Sequence, residues 1–312
     1  MVNQAPSGMK MRLNEMKHLV GSRGIPPLEY HRPRELQTAL ALLGELQDRG
    51  RLIAGGTDII PAIRKGILSP SFGHMVDLSS IRELDYIKRE EDGIRIGAVT
   101  RLSALEESEM IRKFVPILAD AVGHMGSMQI RNQGTVGGNL ANASPAADTA
   151  PPLLALGARV LLKSAKEQRV VPLDQFFLGP GKTILAPGEI LAEIQIPLPE
   201  DQGSFCFFKL GRRNAFTLSI ISVATWVKVE KETFQGIRIA LGAVAPTPMR
   251  GLKTEEYLLG QRVSEKTIDS GAKAITDEVQ PISDVRASAD YRKDMSYILT
   301  RRAILSCLTP NK

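Results

Sequence analysis

Leu36, Leu40, Leu43 and Leu46 recur at spacings of three and four with polar residues between them, which predicts an amphipathic helix from Pro33 to Gly50 with one buried stripe. The period then changes. Leu52-Ile53 reads as a short strand running into the turn Ala54-Gly55-Gly56-Thr57-Asp58, and Ile59 to Lys65 as a short helix whose N-terminus sits on that turn. Met75 to Leu78, Asp85 to Lys88 and Ile94 to Val99 read as strands, the last two joined by a hairpin at Glu91-Asp92-Gly93. Thr100 opens a helix through Leu105, and Ile111 to Val122 forms another that pauses at Pro116. Gln129 to Asp148 reads as an extended loop, followed by a helix around Ala147 to Leu156 with Pro151-Pro152 near its start, where proline is tolerated.

Val160 to Val171 reads as a hairpin turning at Lys166-Glu167, and Glu189 to Ile196 as an alternating strand ended by Pro197-Leu198-Pro199. Pro197 to Gly203 is the expected linker. Beyond it, Phe205 to Leu210, Ile220 to Val229 and Ile237 to Val244 are strand-like. Helices follow near Lys253 to Leu259, Glu265 to Val279 and Ser288 to Cys307. Strands first and helices after predict a separate α+β domain. The expected division is a leader over 1–24, a domain over 25–200 and a second over 204–308.

Composition narrows the class. With 312 residues there is length for two domains, and 43% hydrophobic with 24% charged residues is a globular composition. The longest strongly apolar run, Leu218 to Val227, is too short to span a bilayer, and residues 1–23 lack the apolar block of a secretory signal, so a cytoplasmic protein is expected. Five Lys and Arg stand against two Asp and Glu in residues 1–33, and six against two in 286–312, so the net charge of +6 belongs to the ends. Aromatic content of 5% with one Trp does not supply a nucleic-acid face. Cys206 and Cys307 form no CxxC, which argues against an iron-sulfur cluster held by this chain alone. His18, His31, His74 and His124 show neither HxxxH nor HExxH, so no metal site is expected.

The chemistry concentrates in two stretches. Gln129 to Asp148 carries Gly134, Gly137 and Gly138 among polar residues, with no acidic side chain before Asp148. Glycine permits positive φ and close approach of a ligand, and successive backbone N–H groups form anion-binding nests. Ile53 to Asp58 has the same character. Two such stretches read as halves of one site for a doubly phosphorylated ligand, which FAD fits. Competing motifs fail. Gly179-Pro180-Gly181-Lys182-Thr183 lacks the earlier P-loop glycine, Phe176 standing there, and neither GxGxxG after a strand nor GxSxG occurs.

These stretches resemble the FAD-binding subunit of the molybdenum hydroxylases, the family of xanthine dehydrogenase and aerobic carbon monoxide dehydrogenase. The likeness rests on Ala54-Gly55-Gly56-Thr57-Asp58 and on Gln129-Ile130-Arg131-Asn132-Gln133-Gly134-Thr135-Val136-Gly137-Gly138-Asn139 with Ala143-Ser144-Pro145 and Asp148. Gly188-Glu189-Ile190-Leu191, Phe208-Lys209 before Arg212-Arg213, Tyr291-Arg292 and Arg301-Arg302-Ala303 extend it over about residues 25–308. The resemblance implies a vanillyl-alcohol-oxidase type (PCMH-type) FAD-binding domain of two α+β subdomains plus a C-terminal α+β domain. It implies that Ile53, Ala54, Gly55, Gly56, Thr57 and Asp58, with Gly134, Thr135, Gly137, Gly138 and Asn139, enclose the pyrophosphate, and that Met125, Asp148, Leu191 and Lys209 lie near the flavin end. Lys209 would there act as a cation favouring the anionic reduced ring.

It further implies an electron-transfer subunit with no catalytic residue for hydroxylation. Electrons would come from a 2Fe-2S partner subunit, after oxidation at a molybdenum cofactor on a large one, and leave to NAD+ or another acceptor. A dimer of heterotrimers is the expected assembly. Two departures stand out. Two lone cysteines cannot hold the extra cluster of 4-hydroxybenzoyl-CoA reductases, and Asn214-Ala215 replaces acidic residues that some relatives place after the paired arginines, which leaves the acceptor open. A free-standing FAD oxidase or reductase of the same fold and a non-catalytic adaptor are the alternatives.

Overall fold

The computed structural model describes residues 27–68, 72–198, 203–213 and 217–309. The expected leader, the middle of the expected linker and Asn214-Ala215 lie outside the described residues. The first sheet is parallel and holds β1 (Glu29–His31), β2 (Gly50–Ile53) and β3 (His74–Asp77) in the order β1-β3-β2. Parallel strands require crossovers, here α1 (Leu36–Leu46) and α2 (Ile59–Arg64). The leucine stripe of α1 is the expected one: Leu40, Leu43 and Leu46 are buried with Val76, Leu78 and Ile81.

The second sheet is antiparallel. It is built from β4 (Ile87–Glu90), β5 (Gly93–Gly97), β6 (Arg159–Lys163), β7 (Gln168–Pro172) and, after the small ribbon of β8 (Phe177–Gly179) and β9 (Lys182–Thr183), β10 (Ile190–Pro197). The order β4-β5-β10-β6-β7 puts the late strand β10 in the middle. Between β5 and β6 run α3 (Leu102–Glu107), α4 (Glu109–Phe114), α5 (Pro116–Gly123), α6 (Met128–Gln133), α7 (Val136–Ala141) and α8 (Ala150–Ala155). Pro116 splits the helix expected over Ile111 to Val122 by occupying the first turn of α5, where its missing N–H costs nothing.

Gln129 to Ala146 is not the extended loop that glycine content suggested. It contains α6 and α7, each started by a hydroxyl cap: Ile130 N–H donates to Ser127 Oγ at 3.2 Å and Gly138 N–H to Thr135 Oγ1 at 3.1 Å. A capped turn pinned from outside needs little intrinsic propensity, which is why glycines are tolerated there.

The third sheet is a meander of β11 (Ser204–Leu210), β12 (Ile221–Glu230), β13 (Thr233–Gly242) and β14 (Met249–Arg250), followed by α9 (Leu252–Leu258), α10 (Glu265–Ala274) and α11 (Ala289–Leu308). Val223, Ile239 and Leu241 share a core with Leu299, Ala303 and Ile304 of α11. Buried Arg292 at the start of α11 donates to the carbonyls of Ile220 at 2.6 Å and Ala243 at 3.0 Å and pairs with Asp284. The largest core runs from Ile94 and Ile96 through α3, α5 and α8 to Ile194, and continues into Phe207, Ala224 and Ala240 of the third sheet. No helix among the described residues is long and apolar enough to cross a membrane.

Candidate functional site

The two glycine stretches meet. A Cβ built on Gly55 would lie 2.0 Å from the carbonyl oxygen of Gln133 and 2.8 Å from Gly134 Cα, so only glycine allows this backbone contact. Gly56, at φ +70, then turns the chain into α2. The N–H groups of Gly55, Gly56, Thr57 and Asp58 donate to no backbone or side-chain acceptor among the described residues. Burial pushes the Asp58 carboxyl above its ordinary range, against the hydrogen bond from Thr57.

The second stretch uses its amides differently. Gly137 N–H donates to Ala98 O at 2.9 Å, Val136 N–H to Thr100 O at 3.1 Å and Asn139 N–H to Thr135 O at 2.9 Å. With the Thr135 cap on Gly138, every N–H from Val136 to Asn139 is spent inside the chain. The bare amides expected over these four residues are therefore absent, while the Thr135 N–H just before them is left unspent. Gly137 has a packing purpose, since a Cβ would meet Ala98 Cβ at 2.5 Å. Ala98 in turn donates its N–H to Ala192 O at 3.0 Å, which ties α7 to the residue after Leu191.

A second cluster forms beyond it. Lys209 Nζ, on β11, sits 2.6 Å from Asp148 Oδ2 and donates to the carbonyl oxygen of His124 at 2.8 Å. Both side chains are nearly sealed, at 6% and 7% exposure, and Ser219 donates its hydroxyl to the other Asp148 oxygen. Lys209 is thus a buried, compensated cation, held by Asp148 and the His124 carbonyl. Burial pushes the Asp148 carboxyl up, while Lys209, Ser219 and His124 pull it down. Met125 and Leu191 are buried in the large core. Asn139 Oδ1 accepts from the Thr149 hydroxyl at 2.6 Å, so α7 is linked to the residue beside Asp148. Gln133, Ser219, Thr149 and the His124 carbonyl escaped the sequence reading. Three of the four act through a backbone contact or a partner far along the chain, which no local pattern signals.

Comparison with known proteins fits this arrangement. Residues 9–199 match the FAD binding domain in molybdopterin dehydrogenase, and residues 206–307 match the CO dehydrogenase flavoprotein C-terminal domain. The chain is 33% identical to the glyceraldehyde dehydrogenase medium chain of Sulfolobus acidocaldarius over 278 residues, 89% of this chain and 97% of that one. It belongs to the FAD-binding medium subunits of the molybdenum hydroxylases. Another relative, the carbon monoxide dehydrogenase medium chain of Hydrogenophaga pseudoflava, is 33% identical over 281 residues, covering 90% of this chain and 97% of the relative. A solved carbon monoxide dehydrogenase from the same organism superposes with a TM-score of 0.88 at 32% identity, covering 92% of this chain and 99% of the other.

A medium subunit of this family carries FAD, and its residues must supply donors to a diphosphate bridge. The unspent amides of Gly55 to Asp58, held against Gln133 and Gly134, fit that demand. The spent amides of Val136 to Asn139 do not, and what α7 offers is a rigid wall. The chain is a subunit of an oxidoreductase.

Proposed function

We propose that this chain accepts electrons from a 2Fe-2S subunit of a molybdenum hydroxylase and delivers them to NAD+ or another acceptor. Bound FAD would supply the ability to take electrons singly and release them as a pair. The amides of Ala54 to Asp58 hold the diphosphate, and the Gly55 contact with Gln133 keeps them aimed. Gly134, Thr135, Gly137, Gly138 and Asn139 form the facing wall. Met125 and Leu191 give the ring an apolar surface that excludes water, and the Asp148 and Lys209 pair fixes polar groups at that end. The set of unspent amides on the first turn carries this reading.

Substrate recognition then falls to the large molybdenum subunit, and a dimer of heterotrimers in the cytoplasm is the natural assembly. Isolation of the tagged chain from its native cells tests this. Equimolar large and small chains, with molybdenum, 2Fe-2S centres and one equivalent of flavin that NADH bleaches anaerobically, are the expected result. A flavin-loaded chain that runs alone in native extract and turns over unaided overturns the proposal.

A further inference from the structure

Sequence spacing gave no reason to group His31 with His74, which lie 43 positions apart. Parallel pairing of β1 with β3 brings them together. Glu29 stands directly opposite His74 in the register, and His31, two residues on, shares the face of Glu29. His74 Nδ1 lies 3.2 Å from His31 Nε2 and 3.2 Å from Glu29 Oε2, and His31 Nε2 lies 3.9 Å from the same carboxylate oxygen. The imidazoles stack at 5.4 Å between centroids.

We propose that Glu29, His31 and His74 bind a divalent transition-metal ion, with zinc the best match. Tetrahedral zinc with bonds of about 2.1 Å requires its ligand atoms to stand about 3.4 Å apart. Two of the three separations are within reach of that edge, and the third closes by movement of Glu29, whose side chain is 72% exposed. Two imidazoles and one carboxylate are borderline donors suited to zinc. A single proton on His74 Nδ1 can serve only one of its two neighbours at a time, whereas a dication satisfies all three. The imidazoles are partly covered, at 29% and 19% exposure, so the remaining position opens to solvent.

The ion would fasten the three-residue edge strand β1 to the central strand β3. It is a site separate from the cofactor cradle. His74 pairs with Gly50 at the far end of β2 from Ile53, so the two are about 10 Å apart along the strand.

Titration of the chelator-washed, FAD-loaded full chain with zinc chloride tests this, read by calorimetry and by thermal unfolding. One saturable ion per chain with micromolar or tighter affinity, and an unfolding midpoint that rises with zinc, is expected. Glu29→Gln should weaken binding on the order of 10 to 100-fold, as loss even of an outer-shell partner does, and the paired His31→Ala and His74→Ala change should abolish it. Glu29 is exposed, so retained flavin and an unchanged zinc-free midpoint show that the fold persists. Absence of saturable binding in the wild-type chain, or unchanged stoichiometry and affinity in both variants, overturns the proposal.

Discussion

The two glycine stretches look interchangeable in composition and use their backbones in opposite ways. In Ile53 to Asp58 the amides from Gly55 onward are left unspent, and Gly56 takes the positive φ that glycine permits. In Gly134 to Asn139 no glycine has positive φ, and of the six amides only that of Thr135 is left unspent, the others donating to Ile130, Thr100, Ala98 and Thr135. One stretch offers donors outward. The other is masonry that holds its neighbour in place, so equal glycine content says nothing about which amides remain to bind a ligand.

Asp148, at the far end of the second stretch, carries the inward habit furthest, and it gives the largest expected effect. Lys209→Met leaves the Asp148 carboxylate buried with Ser219 as its remaining side-chain partner. Breaking one half of a buried pair costs about 3–5 kcal/mol, whereas replacing both halves by apolar residues is often nearly neutral. Urea unfolding should therefore show a large loss in Lys209→Met and recovery of most of it in the double Lys209→Met, Asp148→Leu variant. Equal losses in the two would mean that Lys209 contributes by packing alone.

The comparison itself is sharpest when the same kind of change is made on both sides. Gly55→Val drives a side chain into the Gln133 carbonyl, at 2.0 Å from the first added carbon, and must part the two stretches. Flavin affinity should fall at least about 100-fold, near 2.8 kcal/mol, a loss larger than the stability the flavin-free chain gives up when the two backbone segments part. Gly137→Ala meets Ala98 at 2.5 Å within the core and should cost about 1–3 kcal/mol of overpacking, read in denaturant titrations of the flavin-free chain. If both variants lost flavin and stability in the same proportion, the division of labour would be wrong.

Local features were legible in the sequence. The leucine spacing of α1, the strand running into the first turn and the hairpin of β4 and β5 depend on neighbours a few residues away, and the chain adopts them. The helical state of Val136 to Ala141 was not legible, because it rests on acceptors at Ala98 and Thr100 that only the tertiary fold supplies. The direct pairing of Lys209 with Asp148 and the His124 carbonyl was not legible for the same reason: those partners come from remote parts of the chain. Glycine was the most misleading letter, since a close approach such as Gly137 on Ala98 and a positive φ such as Gly56 look alike in one dimension.

The smallest expected effect isolates the cap. Thr135 Oγ1 is the acceptor for Gly138 N–H, and its side chain lies in a buried residue at the joint where Arg101 and Thr135 bridge. Thr135→Ala removes that acceptor and should cost about 1 kcal/mol of stability, while Thr135→Ser, which keeps the oxygen, should cost less. An amide freed at Gly138 also becomes available outward, so the second stretch moves toward the character of the first. If the wall role is right, the extra donor does not compensate: flavin affinity in Thr135→Ala should drop slightly, in step with stability, and Thr135→Ser should restore both. A rise in affinity on removing the hydroxyl would show that Gly138 was a suppressed donor and would erase the contrast between the two stretches.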